Sequence, residues 1–172
     1  MLFMDKEFTI YTDGSSRGNP GPGGWAAIII ENGKSKRQNE NTGAGTKDGL
    51  ETIREIGGRE DHTTNNRMEL KAAIEGLNAV PTGSRVILIA DSEYVVKGIT
   101  LWIKGWLAKN WRTAAKKPVL NQDLWQELLR VAEGKDIQWK VVLGHSGIEH
   151  NERADAIATS FADNMPIKLR QR

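Results

Sequence analysis

Between Phe8 and Trp25 the chain reads F-T-I-Y-T-D-G-S-S-R-G-N-P-G-P-G-G-W, and few backbones accommodate such a run. Phe8, Ile10 and Thr12 alternate with Thr9, Tyr11 and Asp13 at the period of two that a pleated strand imposes. The spacing predicts a strand that stops at the carboxylate of Asp13. Gly14, Ser15, Ser16 and then Gly18 to Gly24 follow, a density of breakers that predicts a turn of exposed backbone. Two readings of Asp13 stay open. It bonds the turn backbone, as aspartates in turns do, or it meets a metal where backbone N–H groups also face a phosphate.

The next segments build an α/β pattern. W-A-A-I-I-I-E (25–31) reads as a second strand, and Asn32-Gly33 is a hairpin signal. Residues 34–49 are polar and aperiodic, with Ala44 the one apolar side chain, and predict a flexible insertion before a third strand near 50–61. Thr63 to Asn66 are helix-capping types. Met68, Ala72, Ala73, Leu77 and Val80 then recur at helical spacing until Pro81, with Glu69 flanking the stripe. Val86 to Ala90 is a short unbroken apolar run, as in a strand covered on both faces, and it ends at Asp91. Asp91-Ser92 caps a following helix, so a cap alone accounts for that acid; central strand ends are also where α/β folds place their sites.

From Tyr94 to Gln122 there are six basic residues, Lys97, Lys104, Lys109, Arg112, Lys116 and Lys117, and no acid, whereas the rest of the chain carries 18 basic against 22 acidic. Trp102, Trp106 and Trp111 share the basic segment, which suits a polyanion with flat bases or sugars. A solvated helix face with its tryptophans turned inward also fits, Trp106 above all. Asn121 is placed as the cap of a helix with Leu124, Trp125, Leu128, Leu129 and Ala132 on one face. A strand at 137–143 turns Ile137, Trp139, Val141 and Leu143 inward. The loop G-H-S-G-I-E-H leads to a last helix with Asp155 beside its apolar stripe, and the tail from Ile167 to Arg172 reads as frayed.

Composition narrows the class. At 172 residues the chain suits one domain, 1–172. Without cysteine it has neither disulfides nor thiolate metal sites. The start M-L-F-M-D-K-E lacks a signal peptide's basic and apolar regions, and no run approaches the ~20 apolar residues of a membrane span, so a cytoplasmic protein is expected.

Four acids stand out by position: Asp13 and Asp91 at strand ends, Glu69 and Asp155 on helix flanks. If they converge, their mutual repulsion calls for cations, and hard divalent ions take carboxylate oxygens. The stretches T-D-G-S (12–15) with G-N-P-G-P-G-G-W (18–25), T-N-N-R-M-E-L (64–70), A-D-S-E-Y-V (90–95) and G-H-S-G-I-E-H-N-E-R-A-D (144–155) together resemble type 1 ribonuclease H. That resemblance covers Phe8 to Phe161 and implies a five-stranded mixed sheet in the order 3-2-1-4-5 with helices on both faces. It implies a monomeric endonuclease that hydrolyses the RNA strand of RNA–DNA hybrids with two Mg²⁺ or Mn²⁺ ions, leaving 5′-phosphate and 3′-hydroxyl ends. Asp13, Glu69, Asp91 and Asp155 would be its metal ligands and His145 a loop base or product-release group. Asn19, Asn65 and Asn66 would line the minor groove, Thr64 and Asn121 a pocket for a DNA phosphate, and Trp102 would pack on DNA sugars; Thr64 and Asn121 also sit where caps belong. Glu93 stands where bacterial relatives often carry Gln, and an ionised carboxylate accepts but cannot donate a groove hydrogen bond. Within the same fold, other nucleases or transposase-like enzymes are the rival reading, and outside enzymology a hybrid-binding module without chemistry.

Overall fold

A computed structural model describes residues 6–33 and 51–172, so the expected insertion at 34–49 lies outside the described residues. Five strands form one sheet: β1 (Glu7–Ser16), β2 (Gly21–Glu31), β3 (Thr52–Thr63), β4 (Arg85–Ala90) and β5 (Asp136–Val141). Their order is β3-β2-β1-β4-β5; β1, β2 and β3 are antiparallel, and β4 and β5 run parallel to β1. The helices are α1 (Asn65–Asn78), α2 (Glu93–Lys97), α3 (Ile103–Ala108), α4 (Gln122–Ala132) and α5 (Glu149–Ala162), with one π-helical turn, Gly98–Trp102, joining α2 to α3.

Alternation sorts the core into two layers. Phe8 and Ile10 of β1, with Ala27 and Ile29 of β2, meet Leu70, Ala73 and Leu77 of α1 and Trp125 and Leu128 of α4. Ala26, Ile28 and Ile30 face the other way and meet Ala154, Ile157 and Ala158 of α5. One face of the sheet is thus covered by α1 and α4, the other by α5; β4 lies between β1 and β5 but, against expectation, is fully covered on one face only, with Val86, Leu88 and Ala90 buried and Ile87 and Ile89 half-buried, because α5 packs over β1, β2 and β3.

The first hairpin departs from the sequence expectation. β1 does not stop at Asp13 but continues to Ser16, with Gly14 opposite Trp25 and Ser16 opposite Gly23. The turn shrinks to the residues between Ser16 and Gly21. The glycines do not loosen this backbone; they thin it. A Cβ on Gly14 would collide with the α1 backbone at Met68 and Glu69, and one on Gly24 with the α5 carbonyl of Ala158. Bare backbone at these two positions lets a helix on each face approach the same end of the sheet.

Three further expectations are corrected. β5 is an edge strand that ends at Val141 rather than Leu143, and its inward face is only half covered: Ile137 and Trp139 are half-buried and Val141 is 47% exposed, while Leu143 beyond the strand is 82% exposed. Asn121 does not cap α4 through its side chain. It sits at φ +59°, where its Nδ2 donates to Tyr94 Oη at 3.1 Å and its Oδ1 accepts from Arg67 Nη1 at 3.4 Å.

The tail is not frayed but docked on β3. Ile53 and Arg172 exchange backbone hydrogen bonds, Glu55 N–H donates to Arg170 O at 3.0 Å, and Ile167 and Leu169 pack on the α5 layer. Glu55, whose side chain is 3% exposed, organises this junction. It accepts Arg153 of α5 at 2.8 and 2.9 Å and Arg170 N–H at 2.8 Å. Burial works to raise the Glu55 carboxyl, and these donors overcome it to hold the group below the usual carboxylate range. The alternation of Ile167 and Leu169 with Lys168 and Arg170 is a strand signature, but four residues are too few to read as one without the partner edge.

Candidate active site

β1 and β4 are neighbours, with Thr12 opposite Ala90, so Asp13, within β1, and Asp91, just past the end of β4, lie side by side. Glu69 in the first turns of α1 reaches them because α1 lies on Gly14. One carboxylate oxygen from each of Asp13, Glu69 and Asp91 lies within 4.8 Å of the others. Asp155, half-buried on α5, adds its charge to the cluster from the other face, outside that closest trio. Helical spacing alone favours a surface position for Glu69, beside the apolar stripe; in the fold it is buried.

The local electrostatics disfavour four free anions. Burial first, then Glu69, Asp91 and Asp155, push the Asp13 carboxyl up to about 11. Burial and then Asp91 push Glu69 up to about 8, and burial also raises Asp91. Asp13 Oδ1 does accept the N–H of Gly14 at 2.9 Å, so the local turn role and the cluster role coexist in one side chain. Glu69 Oε2 is buried without a hydrogen-bond partner among the described residues; Thr12 Oγ1, Thr63 Oγ1 and Asn151 Oδ1 share that state, but only Glu69 brings a carboxylate to it. A buried carboxylate with an unpartnered oxygen, gathered with two further acids, is a set of hard donors, and it fits a divalent cation.

His145 sits on the loop between β5 and α5 at φ +56°, exposed, and close enough to Asp91 for its charge to favour that carboxylate. Asn19 Oδ1 accepts the backbone N–H of Asn65 at 3.2 Å, which ties the β1–β2 turn to the start of α1, where Asn66 follows. Thr64 caps α1, its Oγ1 accepting Arg67 N–H at 3.2 Å. Trp102 is 39% exposed and packs edge-on against Tyr94 and at a tilt against Trp106, with centroids at 5.9 and 6.0 Å. Trp106 and Trp111 pack against the α1 layer, so of the three tryptophans Trp102 keeps an accessible face. Among the described residues no helix is long and apolar enough to cross a membrane.

Residue spacing gave no warning of Arg67. Its guanidinium pairs bidentately with Asp123 at 3.0 and 2.8 Å and touches Asn121, 54 residues further along the chain, while its backbone N–H donates to Thr64. The signal lay inside T-N-N-R, but the partner is on another helix.

The sequence profile of the RNase H family matches residues 5–163. The ribonuclease H of Alcanivorax borkumensis is 46% identical over 166 residues, which cover 96% of this chain and 98% of that one. That of Polaromonas naphthalenivorans is 51% identical over 159 residues, 91% of this chain and 88% of its own. Among solved structures, LC9-RNase H1, described as a type 1 RNase H with the type 2 active-site motif, matches with a TM-score of 0.80 at 28% identity, covering 100% of this chain and 80% of that one. RNase H1 of Halobacterium salinarum NRC-1 matches at a TM-score of 0.53 and 28% identity, over 92% of this chain and 98% of that one. Matches that run nearly end to end, over the same four motifs whose acids meet at one end of the sheet, make the chain a member of the ribonuclease H family of enzymes.

Proposed function

We propose that this chain, as one catalytic domain over residues 1–172, hydrolyses the RNA strand of RNA–DNA hybrids, with Asp13, Glu69, Asp91 and Asp155 holding two Mg²⁺ ions that Mn²⁺ can replace. The observation that carries the reading is the meeting of Asp13, Glu69 and Asp91 within 4.8 Å, with an unpartnered buried oxygen on Glu69. When bound, the ions would supply an activated water and charge stabilisation at the departing 3′-oxygen, leaving 5′-phosphate and 3′-hydroxyl ends.

The chain's own groups do the rest. The four carboxylates would hold the cations that orient the reacting phosphate, and Asp13, Glu69 and Asp91, which the fold favours protonated, would give up protons to do so. His145, an exposed imidazole on the loop beside Asp91, exchanges protons at the reacting centre. Asn19, Asn65 and Asn66 stand together at the turn above the acids, where amides can meet minor-groove edges and 2′-hydroxyls, the group that distinguishes RNA from DNA. Thr64 and Asn121, bridged by Arg67, offer donors for a phosphate of the DNA strand. The accessible face of Trp102 and the cations from Lys97 to Lys117 meet sugar and backbone. Two hydroxyl- or amide-bearing residues there also serve the fold, Thr64 as a cap and Asn121 as a partner of Tyr94.

The test is cleavage of labelled RNA–DNA hybrid, duplex RNA and duplex DNA, each with Mg²⁺ or with chelator. Cutting of the RNA strand of the hybrid alone, abolished by chelator, is the expected result. Hybrid binding without cutting would leave a binding module, and cutting of duplex DNA would place the chemistry with other nucleases.

A further inference from the structure

The first turn of α5 folds back on the loop that carries His145. Glu152 Oε1 accepts the backbone N–H of Gly147 at 3.3 Å, and its Oε2 stands 3.8 Å from His145 Nδ1. At the other end of the loop, Gly144 lies so close to Asp91 that a Cβ there would be 3.1 Å from Asp91 Oδ2. The loop is therefore tied to α5 at one end and lies close against an acid of the cluster at the other. Along it His145 holds φ +56° and Gly147 φ +82°. A histidine keeps a left-handed backbone only where its surroundings over-determine it.

We propose that Glu152 is the positioning residue for His145, tying down the loop through Gly147 N–H and facing the Nδ1 edge of the imidazole so that Nε2 is the nitrogen left to the reacting centre. This rests on the role given to His145 above. The two ring nitrogens are distinct, and the partner of one decides the task of the other. At 3.8 Å the contact is an ion-pair distance rather than a hydrogen bond, the usual state of such pairs before substrate draws the site together. Glu152 and Asp155 are three residues apart on α5 and so share a flank of it. One rigid element then sets both an acid of the cluster and the loop histidine, which keeps the imidazole in register with the metals. A helix N-terminus also favours an acid electrostatically, so the competing account is that Glu152 only stabilises α5.

Steady-state cleavage of hybrid by Glu152→Ala, His145→Ala and the double variant separates the two accounts. Glu152→Ala should lower kcat about tenfold with KM little changed, a part of the ~10²–10⁴-fold that a positioned proton-transfer group supplies. In the His145→Ala background the same substitution should change kcat by less than about twofold, because the group it positions is gone. Glu152→Gln keeps an acceptor for Gly147 N–H without the charge and should fall between wild type and Glu152→Ala; it carries the comparison if the alanine variant folds poorly. An equal loss in both backgrounds would overturn the proposal in favour of a stabilising role. Wild-type kcat in Glu152→Ala beside a slow His145→Ala would overturn this proposal alone. Wild-type kcat in His145→Ala would overturn the role of His145 itself.

Discussion

At the scale of single residues, charge and burial pull against each other in the acid cluster. Asp13 is buried with Glu69, Asp91 and Asp155 around it, so without a cation its ionised form is strongly disfavoured. Asp13→Asn keeps the shape, removes one charge and a cation ligand, and should lower cleavage by at least ~10²-fold, the scale seen when one preorganised electrostatic partner is lost. Its melting temperature in chelator should equal or exceed that of wild type, because the repulsion it shared is relieved. Near wild-type activity would remove Asp13 from the metal site. His145 is exposed and pays no such penalty, so His145→Ala should slow turnover by ~10²–10⁴-fold without abolishing it and without changing the melting temperature. Complete loss of cleavage would make it a ligand rather than a proton carrier.

At the scale of elements, two junctions make opposite predictions. Glu31 of β2 and Thr52 of β3 are paired residues, so the ends that residues 34–49 connect are already side by side. Loop closure costs only ~0.6 kcal/mol per doubling of length, and Asn32-Gly33 suits a tight turn. Joining Gly33 directly to Leu50 should therefore leave the circular dichroism spectrum and hybrid cleavage nearly unchanged. A folded deletion variant that loses tenfold or more in hybrid affinity would make the segment part of the substrate surface. The junction of β3, α5 and the tail is the reverse case, since it is short but buried. Arg153→Ala leaves the Glu55 carboxylate, 3% exposed, without its bidentate partner, and should cost roughly 3 kcal/mol in denaturant unfolding, the low end of the ~3–5 kcal/mol for breaking a buried pair because Arg153 keeps 21% of its surface. A loss below about 0.5 kcal/mol would mean that the pair behaves as a surface bridge.

At the scale of the whole molecule, stability and metal are linked through protons. Asp13, Glu69 and Asp91 all have raised pKa values in the fold, so the protonated folded state is the favoured one. Their contribution is complete below the unfolded carboxylate range near ~4 and is lost as pH rises through about 8 for Glu69 and about 11 for Asp13. The lowered acids, Glu55 and Asp123 among them, are already ionised in both states above pH ~5 and add no slope there. In chelator the melting temperature should fall between pH 6 and pH 9, more steeply than in Asp13→Asn. Saturating Mg²⁺ should raise it and flatten the slope, the cation taking the place of the protons. A rise with pH in chelator would contradict the shared-proton cluster. The sequence by itself determined the strands, the main helices and the four acid-bearing motifs, because alternation, helical spacing and caps are local properties that neighbouring residues write directly. Only the tertiary structure decided that Asp13 and Asp91 are adjacent, through the pairing of β1 with β4, and that bare backbone at Gly14 and Gly24 admits α1 and α5 to the same end of the sheet. It also decided that Leu143 is exposed beyond the end of β5, that the Asn121 side chain bonds Tyr94 instead of capping α4, and that the tail docks on β3. An alternating pattern is the same on an edge strand as on a central one, and a side chain's partner from a distant element leaves no periodic trace; both are set by which surfaces the folded chain brings together.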